Sequence, residues 1–228
     1  MKLLLILSLL AGSLAFAADP QPDRSPKSPA FKPVTDDPKL PRVLLIGDSI
    51  SIDYTIGVRK LLEGKANVHR IPENGGPTKN GIEKIDAWLG SGKWDLIHFN
   101  WGLHDLKIMD DGRHQVPIDE YEKNLLALVQ KMKATGAHLI WASTTPVPAG
   151  ELSPKRHSAD APVFNAAARK IMENENVEIN DLFAFVEPRL EEFQIARNVH
   201  FKDKGSAALA ERVAAAVEAG LKKAGKLK

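Results

Sequence analysis

Short apolar runs that alternate with longer stretches of helical period constrain this chain more than any other feature. The runs Arg42 to Ile46, Ala66 to Ile71, Asp95 to Asn100, His138 to Ser143 and Val177 to Ile179 have the length and the β-branched or apolar content of strands. Between the third and fourth runs, Tyr121, Leu125, Leu128, Val129 and Met132 share one helical face. Asp119 is placed to cap that helix, with Glu122 three residues on and Gly136 to stop it. From about Lys204 a last helix repeats the pattern, with Leu209, Val213, Ala216 and Val217 on one stripe. Such alternation predicts crossover connections and hence a three-layer α/β/α sandwich around a five-stranded parallel sheet. In open sheets of this kind ligands bind beyond the carboxyl ends of the strands, so reactive residues are sought there.

Of the 228 residues, 43% are hydrophobic and 26% charged, enough for one domain with a full core, read here as 42–228. Residues 19–41 carry seven of the 15 prolines, four acidic and four basic side chains and almost no large apolar residue. A segment of that composition cannot build a core, so it is expected to be a disordered tether or a wrapping arm. Residues 1–18 join Lys2, the apolar stretch Leu3 to Leu10 and the small-residue spacing of Ala15-Phe16-Ala17, the pattern of a cleaved export signal. A secreted or periplasmic product, not inserted in a membrane after cleavage, is the expectation. Lys and Arg total 31 against 29 for Asp and Glu, which gives no long-range field to favour nucleic acid. Cysteine is absent, which excludes disulfides, thiolate zinc sites, a cysteine nucleophile and a lipid-anchored cysteine. No motif requires a cofactor.

The first strand ends in Gly47-Asp48-Ser49, where Gly47 lets the chain turn and Ser49 leaves the strand end. A serine hydroxyl needs a base to take its proton. His200, in the loop before the last helix, is the best placed, because the chain returns there toward the first strand. The competing reading of Gly-Asp-Ser is a helix cap. His69, His98 and His138 fall inside strand runs and are expected to be structural. The segment holding His98, His104, Asp105, Asp110, Asp111 and His114 admits a metal-dependent phosphoesterase, but it has no paired histidines at helical spacing, so no metal is expected.

Together these anchors resemble the SGNH hydrolases, the GDSL-type esterases and lipases, over the stretch from Val43 to Leu221. The resemblance implies a flavodoxin-like sandwich and an esterase with Ser49 as nucleophile and His200 as base. It assigns the oxyanion hole to the Ser49 amide, to Gly76 in Asn74-Gly75-Gly76-Pro77-Thr78, and to His104. In Gly102-Leu103-His104-Asp105 that histidine stands where the family has asparagine, and an imidazole N–H can still donate. The family's acid three residues before the histidine is replaced by Arg197, which has no acceptor. Three options stay open for orienting His200: the Asn198 side chain, a backbone carbonyl, or none, leaving a Ser–His dyad. Trp101 and Asp105 are assigned to substrate contacts, with Trp101 as a flat wall suited to a sugar face. The implied substrate is a small-molecule or polysaccharide ester, foremost an O-acetyl group on carbohydrate. The alternative is a carbohydrate-binding protein that kept the fold and lost catalysis.

Overall fold

The structure is a computed structural model that describes residues 22–228; the expected export signal lies outside the described residues. Five strands, β1 (Arg42–Ile46), β2 (Asn67–Arg70), β3 (Leu96–Phe99), β4 (His138–Ala142) and β5 (Glu178–Asn180), form one parallel sheet in the order β2-β1-β3-β4-β5. Helices α1 (Ser49–Leu61), α2 (Thr78–Leu89), α3 (Ile118–Lys133), α4 (Asp160–Asn174), α5 (Leu182–Val186), α6 (Leu190–Phe193) and α7 (Asp203–Lys223) complete the described elements. Helices α1 and α7 pack together, and α2, α3 and α4 pack in series, which makes the outer layers of an α/β/α sandwich. The strands match the apolar runs to within a residue or two at each end.

The central strands are apolar throughout because helices cover both sheet faces. Val43, Leu45, Ile46, Leu96, Ile97 and Phe99 are fully buried. Each such side chain contributes about 1.5–3 kcal/mol relative to exposure. One detail differs from expectation: Pro117, not Asp119, is the N-cap of α3, and Asp119 lies in the first turn. Proline's fixed φ already directs the chain into the helix there, and Asp119 still faces the positive end of the helix dipole.

Residues 22–41 lie along the edge formed by β2 and α1. Asn67 exchanges two hydrogen bonds with the Asp37 backbone, at 2.9 Å each, and Arg59 donates to the Pro29 carbonyl at 3.2 Å. The Arg70 guanidinium sits 5.0 Å from the Phe31 ring centroid, and Arg24 forms a two-point ion pair with Asp53. β2 is an edge strand, and covering such an edge shields backbone groups that would otherwise pair with another chain. No helix among the described residues is long and apolar enough to cross a membrane.

Candidate active site

Strand order reverses between β1 and β3, and the loop after β1 stands at that switch point, where α/β sheets open a crevice. Asp48 caps α1 by accepting from the Ile50 amide at 2.9 Å, and Ser49 is the first helical residue. The cap and nucleophile readings of Gly-Asp-Ser are therefore compatible, because they fall on neighbouring residues. Among the described residues the Ser49 amide bonds to no other group, and it lies at the positive end of α1.

A residue the sequence reading passed over holds this loop in place. Arg70, at the end of β2, is 8% exposed. Its Nη2 donates to Gly47 O at 2.9 Å, Asp48 O at 3.1 Å and Ser51 Oγ at 2.8 Å. Its Nη1 donates to Ile71 O at 2.9 Å and Glu73 O at 2.7 Å. Burial pushes the guanidinium down to about 10, with Tyr54 and Asp48 acting against the fall, so it stays charged at neutral pH. The sequence signal was a lone arginine ending an otherwise strand-like run. The loops also touch directly: a Cβ on Gly75 would stand 2.9 Å from Gly47 O.

His200 arrives from the loop before α7. Its Nε2 lies 2.9 Å from Ser49 Oγ and its Nδ1 lies 2.8 Å from Asn198 Oδ1. The same oxygen accepts the His200 backbone N–H at 3.0 Å, which fixes the amide with oxygen toward the ring. Nδ1 therefore carries the proton, and Nε2 is free to accept from the serine. Of the three options for orienting His200, the Asn198 side chain is the one that meets Nδ1. Burial pushes the imidazole down to about 4, and the charges of Arg24 and Arg156 add to that effect. Asn198 brings no charge to oppose it.

Ser49, Asn74, His104, Asn198 and His200 line one cleft of about 310 Å³. His104 Nδ1 lies 3.1 Å from the Lys107 ammonium, which can only donate, so Nδ1 accepts and Nε2 carries the proton. Burial pushes His104 down to about 4, so it is neutral at pH 7 with one N–H to offer. Gly76 corrects the sequence reading. Its N–H donates to Asn74 Oδ1 at 2.9 Å, and the residue does not line the cleft. Asn74 spends its oxygen on that bond, and its Nδ2 has no hydrogen-bond partner among the described residues. Asn74 is the residue of this loop that lines the cleft.

Two further assignments change. Trp101 is 1% exposed and packs where a Cβ on Gly81 would meet its ring at 2.9 Å, so it belongs to the core and offers no wall to a ligand. Asp105 is fully buried and accepts from Thr78 N at 2.8 Å and Thr78 Oγ1 at 2.5 Å, tying the β3 loop to the start of α2. Burial pushes its carboxyl up to about 7. The residues weighed as a metal cluster are spread apart. His98 is buried within bonding distance of the Asn180 amide at 3.2 Å, His114 pairs with Asp160 at 2.9 Å, and Asp111 pairs with Arg113. Among the described residues no three His, Asp or Glu side chains are grouped to hold a metal ion.

No family model matches the sequence, and no curated protein matches it. Solved structures do match the fold. A lipase/acylhydrolase from Enterococcus faecalis superposes with a TM-score of 0.69 at 18% identity, covering 82% of this chain and 97% of its own. An acetyl xylan esterase gives 0.67 at 17% identity, covering 77% and 99%. An acetylxylan esterase from Geobacillus stearothermophilus gives 0.63 at 20% identity, covering 81% and 94%. Identities this low speak to architecture alone. With its five parallel strands, its strand order and these neighbours, the chain has the fold of the SGNH, or GDSL-type, hydrolases.

Proposed function

We propose that the protein is an exported serine esterase that removes O-acyl groups, acetyl foremost, from carbohydrate through an acyl-enzyme on Ser49. The observation that carries this reading is the chain of contacts from Ser49 Oγ to His200 Nε2 and from His200 Nδ1 to Asn198 Oδ1, at 2.9 and 2.8 Å. His200 accepts the hydroxyl proton as Ser49 attacks the ester carbonyl, and Asn198 holds the ring in the competent tautomer. The Ser49 amide and the His104 Nε2–H donate to the tetrahedral oxyanion. Each donor of that kind contributes about 100- to 1,000-fold in rate. His200 then gives its proton to the leaving alcohol, and water attacks the acyl-enzyme with His200 again as base. Carbohydrate as the alcohol is supported by the acetylxylan esterases among the structures of like fold. Export is supported by the apolar and small-residue pattern of the first 18 residues.

Labelling with a fluorophosphonate probe and turnover of p-nitrophenyl acetate test the reading. The expected result is one covalent adduct on Ser49 and a loss of about four to six orders of magnitude in kcat for Ser49→Ala, with the melting temperature retained. Wild-type turnover in Ser49→Ala, or no adduct on the intact protein, overturns it and leaves a binding protein.

A further inference from the structure

The charge of the cleft is one-sided. With both histidines neutral, the charged side chains that line it are Arg24, Lys107, Arg156 and Arg197, with no Asp or Glu among them. Arg24 has its charge met by Asp53, behind the cleft wall. Lys107, Arg156 and Arg197 form no ion pair with a carboxylate among the described residues.

Arg156 is the most telling of the three. It is 6% exposed and among the described residues bonds only to carbonyls, Leu103 O at 2.9 Å and Pro154 O at 3.3 Å. Those bonds aim a planar fork of donors without neutralising its charge. A buried cation lacking a counter-ion is unfavourable unless something supplies the negative charge. Asp48, which caps α1, acts on Arg156 and Lys107 from a distance, and Asp105, which holds Thr78, acts on Lys107, but neither carboxylate forms an ion pair with them. Burial and the charge of Arg156 both push Lys107 below the ordinary lysine range, and Lys107 in turn lies beside His104. Arg197, exposed, has a backbone φ of 54°, an uncommon conformation for a residue with a Cβ, and it stands at the mouth next to Asn198.

We infer that the preferred substrate is an ester of an acidic sugar, with a carboxylate or sulfate group beside the acylated hydroxyl that Arg156, Lys107 and Arg197 bind. This rests on the esterase reading and names its substrate class. The planar guanidinium of Arg156 matches a carboxylate in two-point geometry, and lysine adds a compact charge beside it. A neutral acetylated xylan fills none of these donors. The loop residues Lys107 and Arg156 thus turn an esterase cleft toward polyanionic polysaccharide.

Binding to Ser49→Ala tests this independently of turnover. Titration calorimetry is run with trigalacturonate, a sulfated galactose oligomer and xylotriose. At least about ten-fold tighter binding of one anionic oligomer than of xylotriose is expected, and which of the two binds identifies the group recognised. The preference shrinks when salt rises from about 0.02 to about 0.5 M, because the attraction is screened. In the background of Ser49→Ala, Arg156→Gln and Arg197→Gln each reduce it several-fold; the exposed Arg197 supplies a variant that folds. Hydrolysis provides the second arm, as acetate release by the wild-type protein from acetylated polygalacturonate and from acetylated xylan. Equal or tighter binding of xylotriose overturns the inference. So does acetate release as fast from acetylated xylan as from acetylated polygalacturonate. An esterase that fails these comparisons but forms the Ser49 adduct leaves the proposed function intact, whereas anion binding without an adduct removes the esterase reading, and the ester substrate with it, and leaves an anion-binding cleft.

Discussion

The loop that carries Ser49 and the loop that carries His200 meet across one cleft, yet they are held by different physics. The Ser49 loop is fixed from below by Arg70, whose two terminal nitrogens reach five oxygens at the ends of β1 and β2. The His200 loop is held chiefly by bonds within itself, with one tie to the loop after β4. Ile195 N donates to His200 O at 3.0 Å, Asn198 N donates to Ile195 O at 3.1 Å, and the Gln194 amide donates to Pro146 O at 2.7 Å. Within it Arg197 takes up a left-handed backbone, at a cost of about 1–2 kcal/mol, which turns Asn198 and His200 toward each other. The position of Ser49 is thus set by the sheet, and that of His200 by a local loop. Disturbing the first should damage the fold, whereas disturbing the second should damage the chemistry alone.

The largest expected effect that would break this contrast is on stability. Arg70→Met removes donors from five buried oxygens and is expected to cost about 3 kcal/mol, seen as a fall of about 10 °C in melting temperature by calorimetry. A melting temperature within a degree of wild type would mean that the Ser49 loop does not depend on the clamp. Next, Asn198→Ala leaves the melting temperature within about 2 °C but lowers kcat about 10- to 100-fold, because the ring loses its tautomer and its orientation. Unchanged turnover would instead point to a dyad.

The smallest effect sharpens the contrast through pH. His200 works only when neutral and is protonated as pH falls through its pKa of about 4. Activity should therefore hold from neutrality down to about pH 5 and fall about ten-fold per unit below 4. Asn198→Asp sets a carboxylate against Nδ1, which favours the imidazolium. The acid limb then moves upward by about one to three units, read from kcat/KM against pH. An acid limb near 6.5 in the wild-type protein would show that burial and Arg24 do not govern His200.

Much of this was legible in the residues. Val43 to Ile46 read as a strand because a parallel strand covered on both faces is apolar without alternation, and the helix periodicities found α3 and α7 directly. Ser49, His200 and Asn198 were legible because a strand end, a turn and a loop before a helix each leave a local mark. Trp101 was misplaced because one step along an extended chain reverses the direction of a side chain, and sequence does not reveal which face meets Gly81. Asp105 was misplaced because its partner, Thr78, lies 27 residues away at the start of α2. Gly76 lost its donor role to a bond two residues long, from its own N–H to Asn74, which depends on the exact course of the loop.

The sequence by itself determined the elements, their parallel arrangement and the candidate pair Ser49 and His200, because periodicity and chain punctuation are local and follow from burial and backbone sterics. Only the tertiary structure decided which charges face the reacting pair. Arg24 comes from the N-terminal arm, Arg70 from β2, Lys107 from the loop after β3, Arg156 from the segment before α4 and Arg197 from the loop before α7. A net charge of +2 over the whole chain conceals a cleft lined by cations, because charge is summed along a sequence but felt across a few ångströms of space.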